Sequence, residues 1–572
     1  QRQMCIRDSN GIAEKYQISP IIARLMRNRE VIGDEAIDFY LNGTVEDLYD
    51  GLLMKDMDRA VDILKEKIEE GKKIRVIGDY DIDGVNATYI LQQGLAGLGA
   101  DVDTDIPDRI KDGYGLNQML IDRALEDDVD TIITCDNGIA ALNEIAYGKE
   151  NGMTIVVTDH HEVPYLEENG EKKYLLPPAD AVVDPHRADC EYTFKGLCGA
   201  AVAYKLVEVL YRVSGKPEQE VEHLQESLME NVAIATIGDV MDLVGENRVF
   251  VKKGLELLKT TKNEGLHALM QCTGVDTANL NTYHIGFVIG PCINAGGRLD
   301  TAKRALELLN ASNRREAVTL AADLKELNDS RKEMTEEGVE EAVRQIESSS
   351  WKNDQVLVVY LPECHESIAG IIAGRIKERY YRPTFVLTKG ETGVKGSGRS
   401  IESYSMYEKL CECKEYLTKF GGHPMAAGLS LEEENVERFR RKLNEQSGLT
   451  EEDLVEKVTI DVPMPIHYIR KDLVQELSLL EPFGKGNEKP LFAQKNLWIS
   501  QMRVFGKNRN VVKMRLTDEN GYPMDGVYFG NGDEFAEEGR GKRKISIVYY
   551  PDINMYQGRE SLQVIIRHYQ FD

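Results

Sequence analysis

The feature that most constrains the fold is an alternation of short apolar stretches with helical stretches between residues 74 and 240. Segments rich in β-branched residues, such as "TIITC" and "TIVVT", are separated by longer stretches such as "VNATYILQQGLAGLG". This alternation is typical of a doubly wound parallel sheet, because parallel neighbours need a crossover connection. We predict strands at "IRVIG", "DVDTDI", "TIITC", "TIVVT" and "AVVD". Ligands of such sheets bind beyond the carboxyl ends of the strands.

Acidic and histidine residues gather directly after three of these predicted strands and at the end of one apolar helical stretch. They are Asp79, Asp81 and Asp83 after "IRVI", Asp136 after "TIITC", Asp159, His160 and His161 after "TIVVT", and Asp239 in "ATIGDVMDL". If the strands are neighbours in one parallel sheet, these side chains converge on one edge. An aspartate at a strand end often caps the following helix instead, and that explanation stays open for each motif taken singly.

Three aspartates at alternate positions repel one another, and a bound divalent cation would offset that repulsion. The pattern D-x-D-x-D-G also begins an EF-hand loop, but the twelfth position is Ile90 where that loop needs a glutamate. Oxygen and imidazole ligands without thiolates favour Mn²⁺ or Mg²⁺ over zinc. Two such ions would activate a water for in-line attack on phosphorus. The clusters therefore predict a metal-dependent phosphoesterase site.

The composition excludes some function classes and leaves others open. The net charge of −27 weighs against a non-specific DNA coat, although carboxylates that hold metal ions also count as negative. The nine cysteines contain no C-x-x-C pair, so neither a zinc ribbon nor a disulfide framework is indicated. Because we find neither a membrane-spanning apolar run nor a signal peptide, we expect a cytoplasmic protein.

A chain of 572 residues is too long for one core, and its pattern changes along its length. Residues 1–19 are interpreted as a non-native or disordered leader. We predict an α/β domain at 20–300, a connecting helix at 301–349, a second α/β domain at 350–450 and a β-rich domain at 451–572. Short strands with turn-forming linkers suggest an OB-fold-like barrel for the last domain.

Four motifs, "GDYDIDG", "CDNG", "DHH" and "GDVMDL", occur in an order that resembles the DHH phosphoesterase superfamily. Within that superfamily the chain resembles the RecJ exonuclease family from about residue 20 to residue 572. Further motifs that carry the resemblance are "IPDRIKDGYGL", "DPHR", "LCGAAVAYKL", "GPCINAGGRLDTA", "GSGRS", "FGGHPMAAGL" and "LEPFGKGNEKPLFA". The resemblance implies a parallel-sheet DHH catalytic domain, an α/β DHH-associated domain and a C-terminal OB-fold-like barrel.

The resemblance also implies an activity: a single-stranded-DNA-specific exonuclease that works from the 5′ end, releases 5′-mononucleotides and serves DNA repair and recombination. The implied ligands of two Mn²⁺ or Mg²⁺ ions are Asp81, Asp83, Asp136, His160 and Asp239. The implied catalytic residues are Asp136, which would bridge the ions, and His161, which would bind the scissile phosphate or polarise the attacking water. Asp79 and Asp159 would orient loops or the histidine ring.

A cleft between the first two domains is expected to bind phosphate. The implied phosphate-binding residues are Arg109, Arg298, Arg375, Ser397, Arg399 and His423. For Arg375, a solvated helix face explains the residue equally well. "GSGRS" and "FGGH" are glycine-rich, which lets the backbone approach a phosphate closely. The family usually has a basic residue after "GP", where this chain has Cys292, so one phosphate contact is missing or supplied elsewhere.

The β-rich domain is expected to hold single-stranded DNA through base stacking and contacts to the backbone. The candidates are Phe505, Lys507, Arg509 and Lys513 in "VFGKNRNVVK". A hairpin turn with solvated charges is the alternative for this segment.

Two other function classes share part of the pattern. A DHH phosphodiesterase of short oligonucleotides or cyclic dinucleotides, or a pyrophosphatase, has the same metal cluster but lacks the β-rich domain after residue 450. An inactive scaffold protein would be expected to lose metal ligands, and every expected ligand is present. From the family we expect a monomer without membrane contact, together with a single-stranded-DNA-binding protein and a helicase as partners.

Overall fold

The computed structural model describes residues 2–109, 112–113, 115–168, 170–390, 393–556 and 558–572. Within the quoted motif "IPDRIKDGYGL", Ile110, Lys111 and Tyr114 lie outside the described residues, and so does Gln1 of the predicted leader.

The described residues form twenty α-helices. They are α1 Arg2–Tyr16, α2 Pro20–Asn28, α3 Asp34–Asn42, α4 Met57–Glu69, α5 Ile82–Gly97, α6 Gln118–Glu126, α7 Leu142–Glu150, α8 Gly199–Val213, α9 Glu218–Gly238, α10 Gly245–Leu258, α11 Glu264–Thr273, α12 Thr282–His284, α13 Gly290–Leu299, α14 Lys303–Leu309, α15 Arg314–Glu347, α16 Ala369–Tyr380, α17 Met406–Glu412, α18 Val436–Glu445, α19 Lys471–Leu477 and α20 Gly532–Glu538. A π-helical segment, Ile285–Ile289, joins α12 to α13.

The strands in the same part of the chain number eighteen. They are β1 Lys73–Ile77, β2 Asp101–Asp105, β3 Thr131–Cys135, β4 Thr154–Thr158, β5 Tyr165–Glu168, β6 Glu171–Tyr174, β7 Ala181–Val183, β8 Leu357–Tyr360, β9 Thr384–Lys389, β10 Val394–Arg399, β11 Leu417–His423, β12 Ala426–Leu431, β13 Val462–Pro463, β14 Phe492–Phe505, β15 Val511–Thr517, β16 Pro523–Phe529, β17 Lys544–Tyr556 and β18 Arg559–Phe571.

The first sheet is parallel throughout and has the order β2-β1-β3-β4-β7. Its central strands are buried, because apolar β-branched side chains face helices on both sides. On one face, Ile74 and Val76 of β1 pack with α4, α5 and α8. On the other face, Ile77 and Ile132 pack with α6 and α7. The predicted doubly wound parallel sheet is therefore confirmed.

The 34-residue helix α15 leads from this first unit to a second sheet with the order β11-β12-β10-β9-β8. The motifs "GSGRS" and "FGGH" lie at strands β10 and β11 of this sheet, where Gly396 pairs with Leu429 and Gly421 pairs with Gly428. A third, six-stranded sheet has the order β13-β14-β15-β16-β18-β17, and an additional pairing of β14 with β17 closes it into a barrel. The three sheets agree with the predicted fold class.

The N-terminal helices α2 and α3 pack into the hydrophobic core of the C-terminal barrel. Ile22 and Leu25 of α2 share that core with Phe492 of β14. The hydroxyl of Tyr40 lies 2.9 Å from Oδ1 of Asn487, across 447 residues of sequence. Helix α1 falls within the segment 1–19 that was interpreted as a leader. The two ends of the chain therefore meet in one core.

Among the helices of the described residues, none is both long and apolar enough to cross a bilayer.

Candidate active site

The carboxyl ends of β1, β3 and β4 lie side by side. Ile77 at the end of β1 pairs with Thr134 of β3, and Cys135 pairs with Thr158 of β4. The acidic and histidine residues that follow these three strands therefore leave the sheet at the same level, as the parallel arrangement predicts.

The Nε2 atom of His160 lies at the centre of the resulting cluster. It is 3.0 Å from Oδ1 of Asp136, 3.5 Å from Oδ2 of Asp83 and 3.9 Å from Oδ2 of Asp239. Three groups of side chains have ligand atoms within 4.8 Å of one another: Asp136, His160 and His161; Asp83, His160 and Asp239; and Asp79, Asp81 and Asp136. All five predicted metal ligands fall in these groups, and Asp79 and His161 join them.

The start of helix α8 holds two of the carboxylates in place. Asp83 accepts hydrogen bonds from the backbone N–H groups of Gly199 at 2.6 Å and Ala200 at 2.8 Å. Gly199 also leaves room for Asp136, since a Cβ at position 199 would lie only 2.7 Å from the Asp136 Cβ. Asp136 has a φ of 59°, a left-handed conformation that aspartate tolerates better than most residues. These contacts fix where both carboxylates point.

Asp81 caps helix α5 and also belongs to the cluster. Its Oδ1 accepts hydrogen bonds from the N–H groups of Asp83 at 2.9 Å and Gly84 at 3.1 Å. Asp81 therefore caps the helix, as the alternative explanation has it, and it also has a ligand atom within 4.8 Å of those of Asp79 and Asp136.

Asp159 lies behind the cluster and orients His161. Its Oδ1 is 2.7 Å from Nδ1 of His161, and its Oδ2 accepts a hydrogen bond from the N–H of Ile139 at 2.9 Å. Burial opposes the charged imidazole, but the hydrogen bond and the charge of Asp159 outweigh it and raise the pKa of His161 to about 9. Asp159 thus holds the ring and favours its protonated form.

The buried carboxylates of the cluster repel one another. Burial, followed by the charge of Asp81, raises the pKa of Asp79 to about 8. Burial, followed by the charge of Asp83, raises the pKa of Asp239 to about 8 and that of Asp136 well above its ordinary range. The Oδ1 of Asp79 is buried without a hydrogen-bond partner among the described residues. Crowded oxygen ligands with an imidazole among them fit Mn²⁺ or Mg²⁺, which would offset the repulsion.

A cavity of about 580 Å³ opens between the first and second α/β units. Tyr80 lines it and stands between Asp79 and Asp81 in sequence, so the cavity adjoins the carboxylate cluster. Its polar lining residues are Arg109, Arg298, Glu366, Ser367, Thr388, Lys395, Ser397, Arg399, Lys419 and Ser430. Glycines of β10, β11 and β12 expose backbone to the same space.

The arginines of this cavity are half-buried and lie near one another. Arg298 donates a hydrogen bond to the Ser367 carbonyl at 2.9 Å, and Arg399 donates to the Ser397 hydroxyl at 3.2 Å. Among the described residues, neither forms an ion pair with a carboxylate. Burial, followed by the charges of Arg109 and other arginines, lowers the pKa of Arg298 to about 10. Burial likewise lowers the pKa of Arg399. The cavity therefore suits an anion.

Four of the six predicted phosphate-binding residues line the cavity, namely Arg109, Arg298, Ser397 and Arg399. Arg375 is exposed on α16, and His423 is exposed at the end of β11, so neither lines it. Sequence reasoning missed Tyr80 as a lining residue, although its place between two cluster aspartates could have indicated it.

Cys292, the residue after "GP" in the motif "GPCINAGGRLDTA", is buried against the connecting helix. Its sulfur lies 3.4 Å from the Asn328 amide of α15. One turn further along α15, Arg331 donates to the Asn328 Oδ1 at 3.1 Å and is close enough to lower the pKa of Arg298. The connecting helix therefore supplies a positive charge here. This role of Arg331 could not be predicted from the sequence, because nothing in the local pattern distinguishes Arg331 from the other arginines of a charged helix.

A groove of about 450 Å³ lies on the barrel. Its lining includes Arg503, Phe505, Lys513 and Arg515. Two of the four predicted DNA contacts, Phe505 and Lys513, are therefore in the groove. Lys507 is exposed outside it, and Arg509 forms an ion pair with Asp533, with a closest distance of 2.5 Å.

Three family models match the chain over most of its length. The model of the DHH family, N-terminal domain, matches residues 73–236; the DHHA1 domain matches 353–448; and the RecJ OB domain matches 460–568. Together with the carboxylate–histidine cluster, these matches define a DHH phosphoesterase that carries an associated α/β domain and an OB domain.

Individual proteins of one family are similar to the chain over nearly its whole length. The chain is 36% identical to the single-stranded-DNA-specific exonuclease RecJ of Bacillus subtilis, over 97% of this chain and 69% of that protein. It is 34% identical to the RecJ of Salmonella typhimurium, over 99% of this chain and 98% of that protein. The crystal structure of RecJ in complex with Mn²⁺ from Thermus thermophilus matches with a TM-score of 0.82 and 28% identity, covering 99% of this chain and 78% of that one. The chain belongs to the RecJ family of single-stranded-DNA-specific exonucleases.

Proposed function

We propose that this protein hydrolyses single-stranded DNA from the 5′ end and releases 5′-mononucleotides with the help of Mn²⁺ or Mg²⁺. The observation that carries the proposal is the meeting of two sites: a buried carboxylate–histidine cluster adjoins a cavity lined by arginines that lack carboxylate partners among the described residues. The relatives are named single-stranded-DNA-specific exonucleases, and crystal structures of RecJ from Thermus thermophilus were solved in complex with Mn²⁺ and with Mg²⁺.

The cluster residues would hold two divalent cations. Asp81, Asp83, Asp136, His160 and Asp239 are the proposed ligands, with Asp136 as the bridging carboxylate because it belongs to two of the three ligand groups. When bound, the ions would polarise the phosphodiester and lower the pKa of the attacking water. The protein's own part is to keep these carboxylates crowded and oriented through the start of α8.

His161 is proposed to hydrogen-bond the scissile phosphate. Asp159 engages its Nδ1, which fixes the ring plane and favours the protonated imidazole. A protonated imidazole donates to an anionic phosphate oxygen and stabilises the charge that develops there. Asp159 is proposed to act by positioning His161, and Asp79 by orienting the loop that carries Tyr80 and Asp81.

The arginine cavity is proposed to bind the phosphate at the 5′ end. Arg298 and Arg399 are half-buried, so an anion between them replaces the hydration that they lose. The barrel groove, with Phe505 and Lys513, is proposed to hold the single strand further from the end. An enzyme of small substrates needs the cavity but not the groove, so the groove favours a polymer.

The remaining parts of the proposal rest on the family and on the sequence. The proposed domain limits are 20–300, 301–349, 350–450 and 451–572. We also propose a cytoplasmic monomer that acts with a single-stranded-DNA-binding protein and a helicase in DNA repair and recombination.

The test is digestion of single-stranded DNA labelled separately at each end, with Mn²⁺, with Mg²⁺ and with EDTA, for the wild-type protein and Asp136→Ala. Metal-dependent release of mononucleotides from the 5′ label, absent in Asp136→Ala, is the expected result. Asp101→Ala, an exposed aspartate at the start of β2, is the matched control. Survival of long DNA while dinucleotides or cyclic dinucleotides are cleaved would replace the proposal by a small-substrate phosphodiesterase.

A further inference from the structure

A row of polar side chains crosses the second sheet inside the arginine cavity, at some distance from Arg399. Lys395 of β10 pairs with Thr388 of β9 on one side and with Ser430 of β12 on the other. Ser430 in turn pairs with Lys419 of β11. Directly opposite residues of antiparallel strands lie on the same face of a sheet, and all four residues line the cavity of about 580 Å³. We call these four residues the polar row.

An open floor of glycine lies between the polar row and the proposed 5′-phosphate subsite. Ser397 and Arg399 follow Lys395 at two-residue steps on the same face of β10, and each step spans roughly 7 Å. Beside Ser397, the neighbouring strands place Gly428 and then Gly421. A Cβ at Gly421 would meet nothing within 4 Å, and a Cβ at Gly428 would meet one backbone oxygen, at 4.0 Å. An elongated anion therefore has room to extend from Arg399 over this floor to the polar row.

The cavity carries more positive charge than one phosphate group neutralises. Its charged lining among the described residues consists of five basic side chains and one carboxylate, namely Arg109, Arg298, Lys395, Arg399, Lys419 and Glu366. Their net charge at neutral pH is about +4. A phosphate monoester carries a charge of about −1.5 to −2 at the same pH. A chain of two or three phosphoryl groups therefore matches the charge of the cavity better than a single group does.

Two members of the polar row have polar groups that a ligand can use. Thr388 is 0% exposed, and its hydroxyl has no hydrogen-bond partner among the described residues. A buried hydroxyl without a partner costs free energy, which a ligand oxygen in the cavity would offset. Lys419 is exposed and forms no ion pair with a carboxylate in the same part of the chain. Lys395 is already held by Glu366, with its ammonium 2.9 Å from Oε2, so its position is fixed at the cavity wall.

We propose that the polar row binds the outer phosphoryl groups of a single strand whose 5′ end carries a di- or triphosphate, while Arg298 and Arg399 bind the phosphoryl group next to the sugar. The proposal rests on the proposed exonuclease function and widens its substrate class. The two outer groups of a triphosphate extend over about one two-residue step of β10, which is the distance from Ser397 to Lys395. Strands that are started from a nucleoside triphosphate carry such an end.

The bond that breaks is the same for a triphosphorylated end as for a monophosphorylated one. A water attacks the phosphorus between the first and second nucleotides, and the bond from this phosphorus to the 3′ oxygen of the first nucleotide breaks. The water supplies the hydroxyl on phosphorus and the proton on the 3′ oxygen. The products are a nucleoside 5′-triphosphate and a strand that is one residue shorter and carries a 5′-monophosphate. The first nucleotide released therefore differs from every later one.

The test compares short DNA single strands of one sequence that end in a 5′-hydroxyl, a 5′-monophosphate or a 5′-triphosphate. They are digested with Mn²⁺ in excess over the strand, and the released nucleotides are separated by anion exchange. For the wild-type protein, kcat/KM on the triphosphorylated strand should at least equal the value on the monophosphorylated strand. The first nucleotide released from the triphosphorylated strand should be a nucleoside triphosphate.

Two variants test the polar row through the ratio of kcat/KM on the triphosphorylated strand to kcat/KM on the monophosphorylated strand. Lys419→Ala removes an exposed ammonium, and Thr388→Val replaces the buried hydroxyl by a methyl group of similar size. The ratio should fall about tenfold in Lys419→Ala, which loses a charged contact, and about fivefold in Thr388→Val, which loses a hydroxyl contact. Lys389→Ala is the matched control and should keep the ratio, because Lys389 is exposed next to Thr388 on β9 but does not line the cavity.

Several outcomes would overturn the role of the polar row. One is a wild-type kcat/KM on the triphosphorylated strand that is no higher than on the 5′-hydroxyl strand, and another is a nucleoside monophosphate as the first nucleotide released from it. The role is also refuted if neither variant lowers the ratio, or if Lys389→Ala lowers it as much as Lys419→Ala does. Failure of the wild-type protein to degrade the monophosphorylated strand would instead refute the proposed function itself.

Discussion

Gly199→Ala is the most direct test of how the fold positions the candidate metal ligands. The added Cβ would lie 2.7 Å from the Asp136 Cβ, whereas ordinary contacts begin at 3.4 Å, so the two residues must separate by about 0.7 Å. The N–H of Gly199 holds Asp83 at 2.6 Å, so the same shift disturbs a second carboxylate. A misplacement of about 1 Å at a catalytic group costs roughly 100-fold in rate. We therefore expect kcat to fall between about 10- and 100-fold.

The assay is kcat on a saturating 5′-phosphorylated single strand with Mn²⁺, combined with a denaturant unfolding curve. Overpacking of this kind costs about 1–3 kcal/mol in stability, which leaves most of the protein folded. Gly374→Ala is the matched control, because a Cβ at that position in α16 would meet nothing within 4 Å. A kcat within twofold of the wild-type value for Gly199→Ala would refute the claim that the start of α8 sets the position of Asp136.

Three further predictions address the anion cavity and the core. Gly370→Ala would place a Cβ 2.8 Å from both Nη2 of Arg399 and Oγ of Ser397, so KM for 5′-phosphorylated DNA should rise about tenfold or more, while the KM for 5′-hydroxyl DNA should change little. Lys205→Ala should destabilise the protein by about 3–5 kcal/mol in denaturant unfolding, because it leaves Glu246 buried without the ammonium now 3.1 Å away. Burial raises the pKa of Glu230 to about 7 from an ordinary value of 4.5, so stability should fall as pH rises between these values, and Glu230→Gln should remove up to about 3 kcal/mol of this dependence.

Each of these predictions has a result that contradicts it. If Gly370→Ala changes KM equally for 5′-phosphorylated and 5′-hydroxyl DNA, the cavity does not bind the 5′ phosphate. If Lys205→Met/Glu246→Leu is as unstable as Lys205→Ala, an unpaired buried charge is not the cause of the loss. An unfolding free energy of Glu230→Gln that depends on pH between 5 and 8 as strongly as the wild-type value would refute the assignment to Glu230.

The residues of the carboxylate–histidine cluster could be predicted from the sequence because strand ends carry a local signal. A buried strand is recognised by its apolar β-branched residues, and parallel neighbours end at one edge, so Asp83, Asp136 and His160 had to approach one another. The sequence also indicated why these residues are crowded, since a bound cation offsets the repulsion between neighbouring carboxylates. The strand alternation likewise determined the first sheet.

The cavity residues were only partly predictable. Arg298 and Arg399 were found through motifs, but Arg375 and His423 carry equally suggestive motifs and lie outside the cavity. Whether an arginine on a helix points into a cleft depends on the rotation of that helix against the neighbouring unit. Arg331 is the opposite case, an arginine that was not predicted although it lies near Arg298. Only the packing of α15 on Cys292 brings it there.

The sequence by itself determined which residues leave the first sheet at its carboxyl edge and which ligand atoms they offer. Only the tertiary structure decided which distant segments meet. Tyr40 and Asn487 form a hydrogen bond across 447 residues of sequence. Lys485, which follows the second α/β unit in sequence, accepts a hydrogen bond from Leu243 in the loop after Asp239. Periodicity reports the environment of neighbours along the chain, whereas such contacts depend on the shapes of whole packed units. For that reason the cluster was visible in the sequence and these long-range contacts were not.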